Sequence, residues 1–213
     1  MLTILTLMFF VLTTHIYGAE LTGKVLREPS QPITTDEVNR YDDRFVGLSS
    51  NDCKCNPGDY AVVYLTSDNL PEIEPSESVP AMKQKNMKFN PSVLAVAVGT
   101  TVEFPNLDPF FHNVFSYSKI KKFDLGRYPK GESETVTFDK PGIVKVFCEI
   151  HFSMRAYVHI LETPYFATSD ENRKFIIKDI NPGEYTLHVW QENLPEILRP
   201  ITVEEGSNTI EIE

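Results

Sequence analysis

The stretch Val146-Phe147-Cys148-Glu149-Ile150-His151-Phe152-Ser153-Met154 decides how the rest of the chain is read. It sets a thiol, an imidazole and a thioether at the spacing Cys-x2-His-x2-Met. The alternating run Ile143-Val144-Lys145-Val146-Phe147 precedes it, and a second run, Tyr157-Val158-His159-Ile160-Leu161, follows. Such runs are expected to form strands. One loop joining two strands can turn Cys148, His151 and Met154 toward a single point.

A thiolate, an imidazole and a weak thioether are the ligand types of a blue-copper electron-transfer site, which takes one more histidine. His112, in Phe111-His112-Asn113-Val114-Phe115-Ser116, is the obvious supplier. Zinc accepts a thiolate and imidazoles too, but the thioether favours copper. Any one of these residues alone reads most simply as core. Four ligand types in the right order on strand ends do not.

The flanking sequence supplies more strands. Leu21-Thr22-Gly23-Lys24-Val25-Leu26 opens the series, and Tyr60-Ala61-Val62-Val63-Tyr64-Leu65 is apolar enough for a strand buried on both faces. A linker rich in Pro, Glu and Ser covers 69–80. After it come Met87-Lys88-Phe89, a run over 92–98, a turn at Gly99-Thr100, and strands over 101–106 and 134–138. Segments 174–178, 185–190, 199–203 and 208–212 close the chain. Between the first two, Asn181-Pro182-Gly183 predicts a turn in which Gly183 takes the left-handed position. Helical periodicity is nowhere sustained, so the expected class is all-β, as a sandwich or barrel.

Composition narrows the function. With 20 basic and 30 acidic residues the net charge is -10, which argues against nucleic acid as a partner. Lys119, Lys121, Lys122, Arg127 and Lys130 make one locally basic segment just after His112. The apolar run over 4–12 is too short to span a bilayer and ends near Tyr17-Gly18-Ala19-Glu20. Residues 1–18 therefore read as a cleaved secretory signal, with the mature protein periplasmic or secreted and no membrane span left. In an oxidising compartment three cysteines leave one unpaired, and metal ligation by Cys148 accounts for it. Cys53 and Cys55, with one residue between them, are a strained bridge, a soft-metal pick-up pair or a source of bonds to another chain.

The segment from Val93 to Leu161 resembles the cupredoxins, particularly the plastocyanin, pseudoazurin and amicyanin group. The matching residues are Val98-Gly99-Thr100-Thr101-Val102-Glu103-Phe104-Pro105-Asn106, the His112-Asn113-Val114 triplet, Phe138-Asp139-Lys140-Pro141-Gly142 and the Cys148 to Met154 loop. The resemblance implies a Greek-key β-sandwich over 81–161. It also implies one type 1 copper held by His112, Cys148 and His151, with Met154 as the weak axial ligand. Asn113 would tie the two ligand loops together, and Phe110, Phe111 and Phe152 would form a docking patch. A second stretch, 170–187, resembles the later half of a transthyretin-like, carboxypeptidase regulatory-type β-sandwich. Gly23-Lys24-Val25 and Val62-Val63-Tyr64-Leu65 resemble its first half. The expected architecture is thus a cupredoxin unit inserted into, or packed beside, a smaller sandwich made of 19–74 and 162–213.

The function expected from this reading is single-electron transfer to a redox protein partner, by an exported protein that is not an enzyme. The His-x-His pairs of copper oxidases are missing, and no acid completes a triad around Ser116 or Ser118. A copper chaperone or sequestration protein that adds Cys53 and Cys55 to the same site is the alternative.

Overall fold

The computed structural model describes residues 18–27, 60–73 and 78–213. The apolar run read as a signal, together with Cys53 and Cys55, lies outside the described residues. Every regular element among the described residues is a strand. β1 (Ala19–Val25) and β2 (Ala61–Thr66) precede the linker. β3 (Lys83–Gln84), β4 (Phe89–Asn90), β5 (Val93–Ala97) and β6 (Thr100–Pro105) lead into β7 (His112–Ser118) and β8 (Lys121–Tyr128). β9 (Ser133–Phe138), β10 (Gly142–Phe147) and β11 (Arg155–Leu161) follow. β12 (Phe166–Thr168), β13 (Lys174–Ile180), β14 (Gly183–Gln191), β15 (Ile197–Val203) and β16 (Ser207–Ile212) end the chain.

The middle of the chain forms a five-stranded sheet, β5-β11-β10-β7-β8, facing the β6–β9 and β3–β4 pairs. Val144 and Val146 of β10, Val158 and Ile160 of β11 and Val114 of β7 meet Val102, Phe104, Val136 and Phe138 in one core. β10 and β11 run antiparallel with Val146 opposite Ala156 and Phe147 opposite Arg155. That register leaves 148–154 as the closing loop.

The second unit draws strands from both ends of the chain. β1 lies between β13 and β16, and β2 lies between β12 and β14. Leu21, Val63, Leu65, Phe175, Ile177, Leu187 and Val189 fill the space between these two sheets. The middle unit is therefore inserted between β2 and β12. Gly23 permits close packing here: a Cβ at this position would come within 2.5 Å of the Phe175 ring and 2.6 Å of the Ile210 carbonyl oxygen.

The two units meet on the outer face of β5, β10 and β11. Val62, Val93, Tyr157 and Leu161 form a buried cluster with Tyr64, Ile143 and Trp190 packed against it. β11 is consequently covered on both faces, and only Arg155 in it is exposed. β2 is two-faced in the same way, with Val62 turned to this cluster and Val63 and Leu65 to the other core.

Two local expectations are corrected. Met87 belongs to a turn and not a strand, with φ 54. At 181–183 Gly183 is not left-handed and instead starts β14; the positive φ lies before the turn, at Asp179 near the end of β13, with φ 55. Tyrosines hold this turn: the Asn181 N–H donates to Tyr165 Oη at 3.1 Å, and Tyr185 Oη donates to the Asn181 carbonyl at 2.7 Å. β8 carries most of the basic segment and is a sheet edge. Its lysines and alternating partial exposure suit an edge protected from pairing with another chain.

His159 sits in the contact between the units, its ring 5.5 Å from those of Tyr64 and Trp190. Burial pushes its pKa down to about 4, with Glu196 opposing and His188 adding to the fall. The unfolded chain, with an ordinary histidine near 6.5, takes up a proton that the folded state refuses. Stability is thus complete above about pH 6.5 and falls by up to about 3 kcal/mol as the pH drops to about 4. Replacing His159 with Leu should flatten that part of the profile, measured as urea midpoints at about pH 7 and about pH 4.5.

Candidate metal centre

Sheet register assembles the site. β7 and β10 pair antiparallel with Phe115 opposite Phe147. Continuing that pairing carries Cys148 and the loop beyond it over Asn113 and His112. His112 is the first residue of β7 and is 0% exposed, while Cys148 and Met154 are each 1% exposed. The loop closes on itself: the Met154 N–H donates to the His151 carbonyl at 2.9 Å, and the Cys148 N–H donates to the Met154 carbonyl at 3.3 Å.

Three donor atoms converge. His112 Nδ1 and His151 Nδ1 lie 3.0 Å apart, and Cys148 Sγ is 3.8 Å from the first and 3.9 Å from the second. These are the separations expected between nitrogen and sulfur donors sharing one ion at about 2.0–2.3 Å. Among the described residues, His112, Cys148 and His151 are the one such group of metal-ligating side chains. Met154 is buried in the same core cluster as Cys148. A soft thiolate, two imidazoles and a nearby thioether suit copper in both oxidation states.

Two side chains brace the donors. Asn113 Oδ1 accepts from the Glu149 N–H at 2.8 Å, and its Nδ2 donates to Asp124 Oδ1 at 2.8 Å. Asn113 therefore ties β7 to the Cys148 loop and to β8. Asp108 holds the other histidine, with Oδ2 2.8 Å from His112 Nε2. That bond places the ring proton on Nε2 and leaves Nδ1 as the lone pair facing Cys148. Burial, the largest influence on Asp108, pushes its carboxyl up. The Met87 N–H, His112 and the Asn86 N–H outweigh it and hold the carboxyl below its ordinary value. Asp108 had no assigned role in the sequence reading. The only local cue is its position a few residues before His112.

Aromatic rings surround the opening. Phe110, Phe111 and Phe152 are exposed by 40%, 53% and 53%. Phe110 lies 5.4 Å from the His112 ring and 5.5 Å from the His151 ring. Ile150 and Leu107 are exposed as well. In the basic segment, Lys121 pairs with Asp139 and Arg127 with Glu149, each at 3.1 Å on the surface. His188 stacks on Tyr64 at 4.5 Å, far from the ligands in sequence and in a different sheet.

Residues 77–161 match the family described as copper binding proteins, plastocyanin/azurin family. This part of the chain is similar to the cupredoxins. Residues 156–210 match a different family, polysaccharide lyase family 4, domain II. Among solved structures, the chain is similar to the Cu-containing nitrite reductase NirK from Thermus scotoductus SA-01, at 28% identity and a TM-score of 0.39. That match covers 46% of this chain and 25% of that one. A mutant of amicyanin in its reduced state matches at 22% identity and a TM-score of 0.38, over 46% of this chain and 98% of that one. A purple cupredoxin from Nitrosopumilus maritimus matches at 26% identity and a TM-score of 0.34, over 36% and 84%. No curated protein sequence matches this one.

Replacing Asn113 with Ala should strip the Glu149 N–H of its partner and lower the stability of the metal-free protein by about 1–3 kcal/mol, read by urea unfolding.

Proposed function

We propose that this chain carries single electrons outside the cytoplasm, using one type 1 copper held by His112, Cys148, His151 and Met154. The observation behind this reading is the buried convergence of two imidazole nitrogens and a thiol at 3.0–3.9 Å within a backbone-closed loop. The copper supplies a one-electron couple when bound. The chain's part is to keep its donors still, because reorganisation at the ligands slows electron exchange. Anchoring of His112 and Cys148 at the ends of paired strands does this, and burial keeps water out.

Phe110, Phe111 and Phe152 provide the surface on which a redox protein partner would seat, near the partly exposed His151. An exposed apolar rim of this kind is best explained by a partner that covers it. The reading is a carrier and not an enzyme. The second sandwich would act as a support that covers the outer face of β11. Among the described residues, no helix is long and apolar enough to cross a membrane.

Protein loaded with Cu(II) should show an intense visible thiolate charge-transfer band, and Cys148→Ser should abolish it. A band that survives in Cys148→Ser would refute the site. Reversible one-electron voltammetry supports the carrier. Tight Cu(I) binding that requires Cys53 and Cys55, with no reversible wave, would replace it with the chaperone alternative.

A further inference from the structure

The carboxylate of Asp108 is held in a cradle that no packing requirement explains. β3 and β4 are joined by a tight turn, in which Lys85 and Lys88 exchange backbone hydrogen bonds at 2.9 and 3.2 Å. The central residues, Asn86 and Met87, both have positive φ, 56 and 54. Turns of this type ordinarily place glycine at the second central position, because a side chain there is strained. Met87 is half exposed, so its side chain gains little from the position.

What the conformation achieves is to aim two successive N–H groups at one anion. Asn86 N–H donates to Asp108 Oδ1 at 2.7 Å and Met87 N–H to Oδ2 at 2.9 Å. Paired amides of this kind form an anion-binding nest. The Asp108 N–H donates in turn to Asn106 Oδ1 at 2.9 Å, and the Leu107 N–H to the Gln84 carbonyl at 2.9 Å. With the His112 bond, the carboxylate receives three N–H donors while its side chain is only 6% exposed. A buried negative charge is thereby fixed one imidazole ring away from the converging donors.

We infer that Asp108, held by the strained Asn86–Met87 turn, is a positioning residue that orients His112 and sets the balance between the oxidised and reduced metal. This rests on the copper reading above. Locking the proton on Nε2 keeps Nδ1 as the ligand atom, and an ionised partner strengthens that ligand. A fixed negative charge in a weakly screened interior stabilises Cu(II), the more positive state, over Cu(I). The potential is accordingly lower than the same donors would give beside a neutral partner.

The test is Asp108→Asn in the full chain, which keeps the side-chain shape and removes the charge. The visible band should persist, while the Cu(II)-to-Cu(I) stability ratio falls about tenfold, a rise in potential of about 59 mV. An unchanged potential with the band retained would overturn the inference, even if thermal stability fell, because a merely structural residue weakens both oxidation states alike. Should the variant fail to fold, 15N NMR of the unsubstituted Cu(I) protein decides: the proton of His112 belongs on Nε2, and a proton-free Nε2 overturns the inference. Loss of the Cys148-dependent band in the unsubstituted protein would sink the copper reading itself, and this inference with it.

Discussion

Everything at the metal centre depends on the register between β10 and β11. Phe147 pairs with Arg155, so the chain between them must reverse within the Cys148 to Met154 loop. The two backbone bonds inside that loop leave its donors little freedom. A slip of one residue would send Val144 and Val146 to the outer face and Lys145 into the core. The hydrophobic core therefore fixes the position of the thiol, and no local preference of the loop could do so alone.

Convergent donors oppose folding in the absence of an ion. Two imidazole nitrogens 3.0 Å apart next to a buried thiol crowd lone pairs that water would otherwise solvate. The surrounding sheet has to supply the stability that this arrangement costs. Coverage of β11 on both faces contributes to that, since Ala156, Val158 and Ile160 pack into one core while Tyr157 and Leu161 pack against the other unit. The second sandwich thus reinforces the strand that receives the ligand loop.

The loop and its partner histidine were legible because strict alternation marked β10, and because thiol, imidazole and thioether are rare neighbours. Strand runs at both ends of the chain were legible from their apolar content, and they pair across it, β1 with β13 and β16 and β2 with β12 and β14. β8 was not, because an edge strand defended by lysines has the composition of a solvated loop. Asp108 was hidden for a different reason. Its importance arises from a turn well upstream in the chain, and Asn86-Met87 lacks the glycine that ordinarily announces such a turn. Contacts of that range belong to the tertiary structure and leave no mark in local periodicity.

The two histidines end in unlike surroundings, and the difference divides their labour. His112 is fully buried and bonded to an anion, so its ring is shielded from solvent and fixed in tautomer. His151 is only partly buried, lies among exposed phenylalanines, and is held below its ordinary pKa by burial and then by the neighbouring His112. A neutral imidazole at the rim keeps its lone pair for a metal while its outer edge lies beside the exposed Phe110 ring. The apolar rim of Phe110, Phe111 and Phe152 shields the His151 side from water. The opposite side, braced by Asp108 and Asn113, holds the donor geometry.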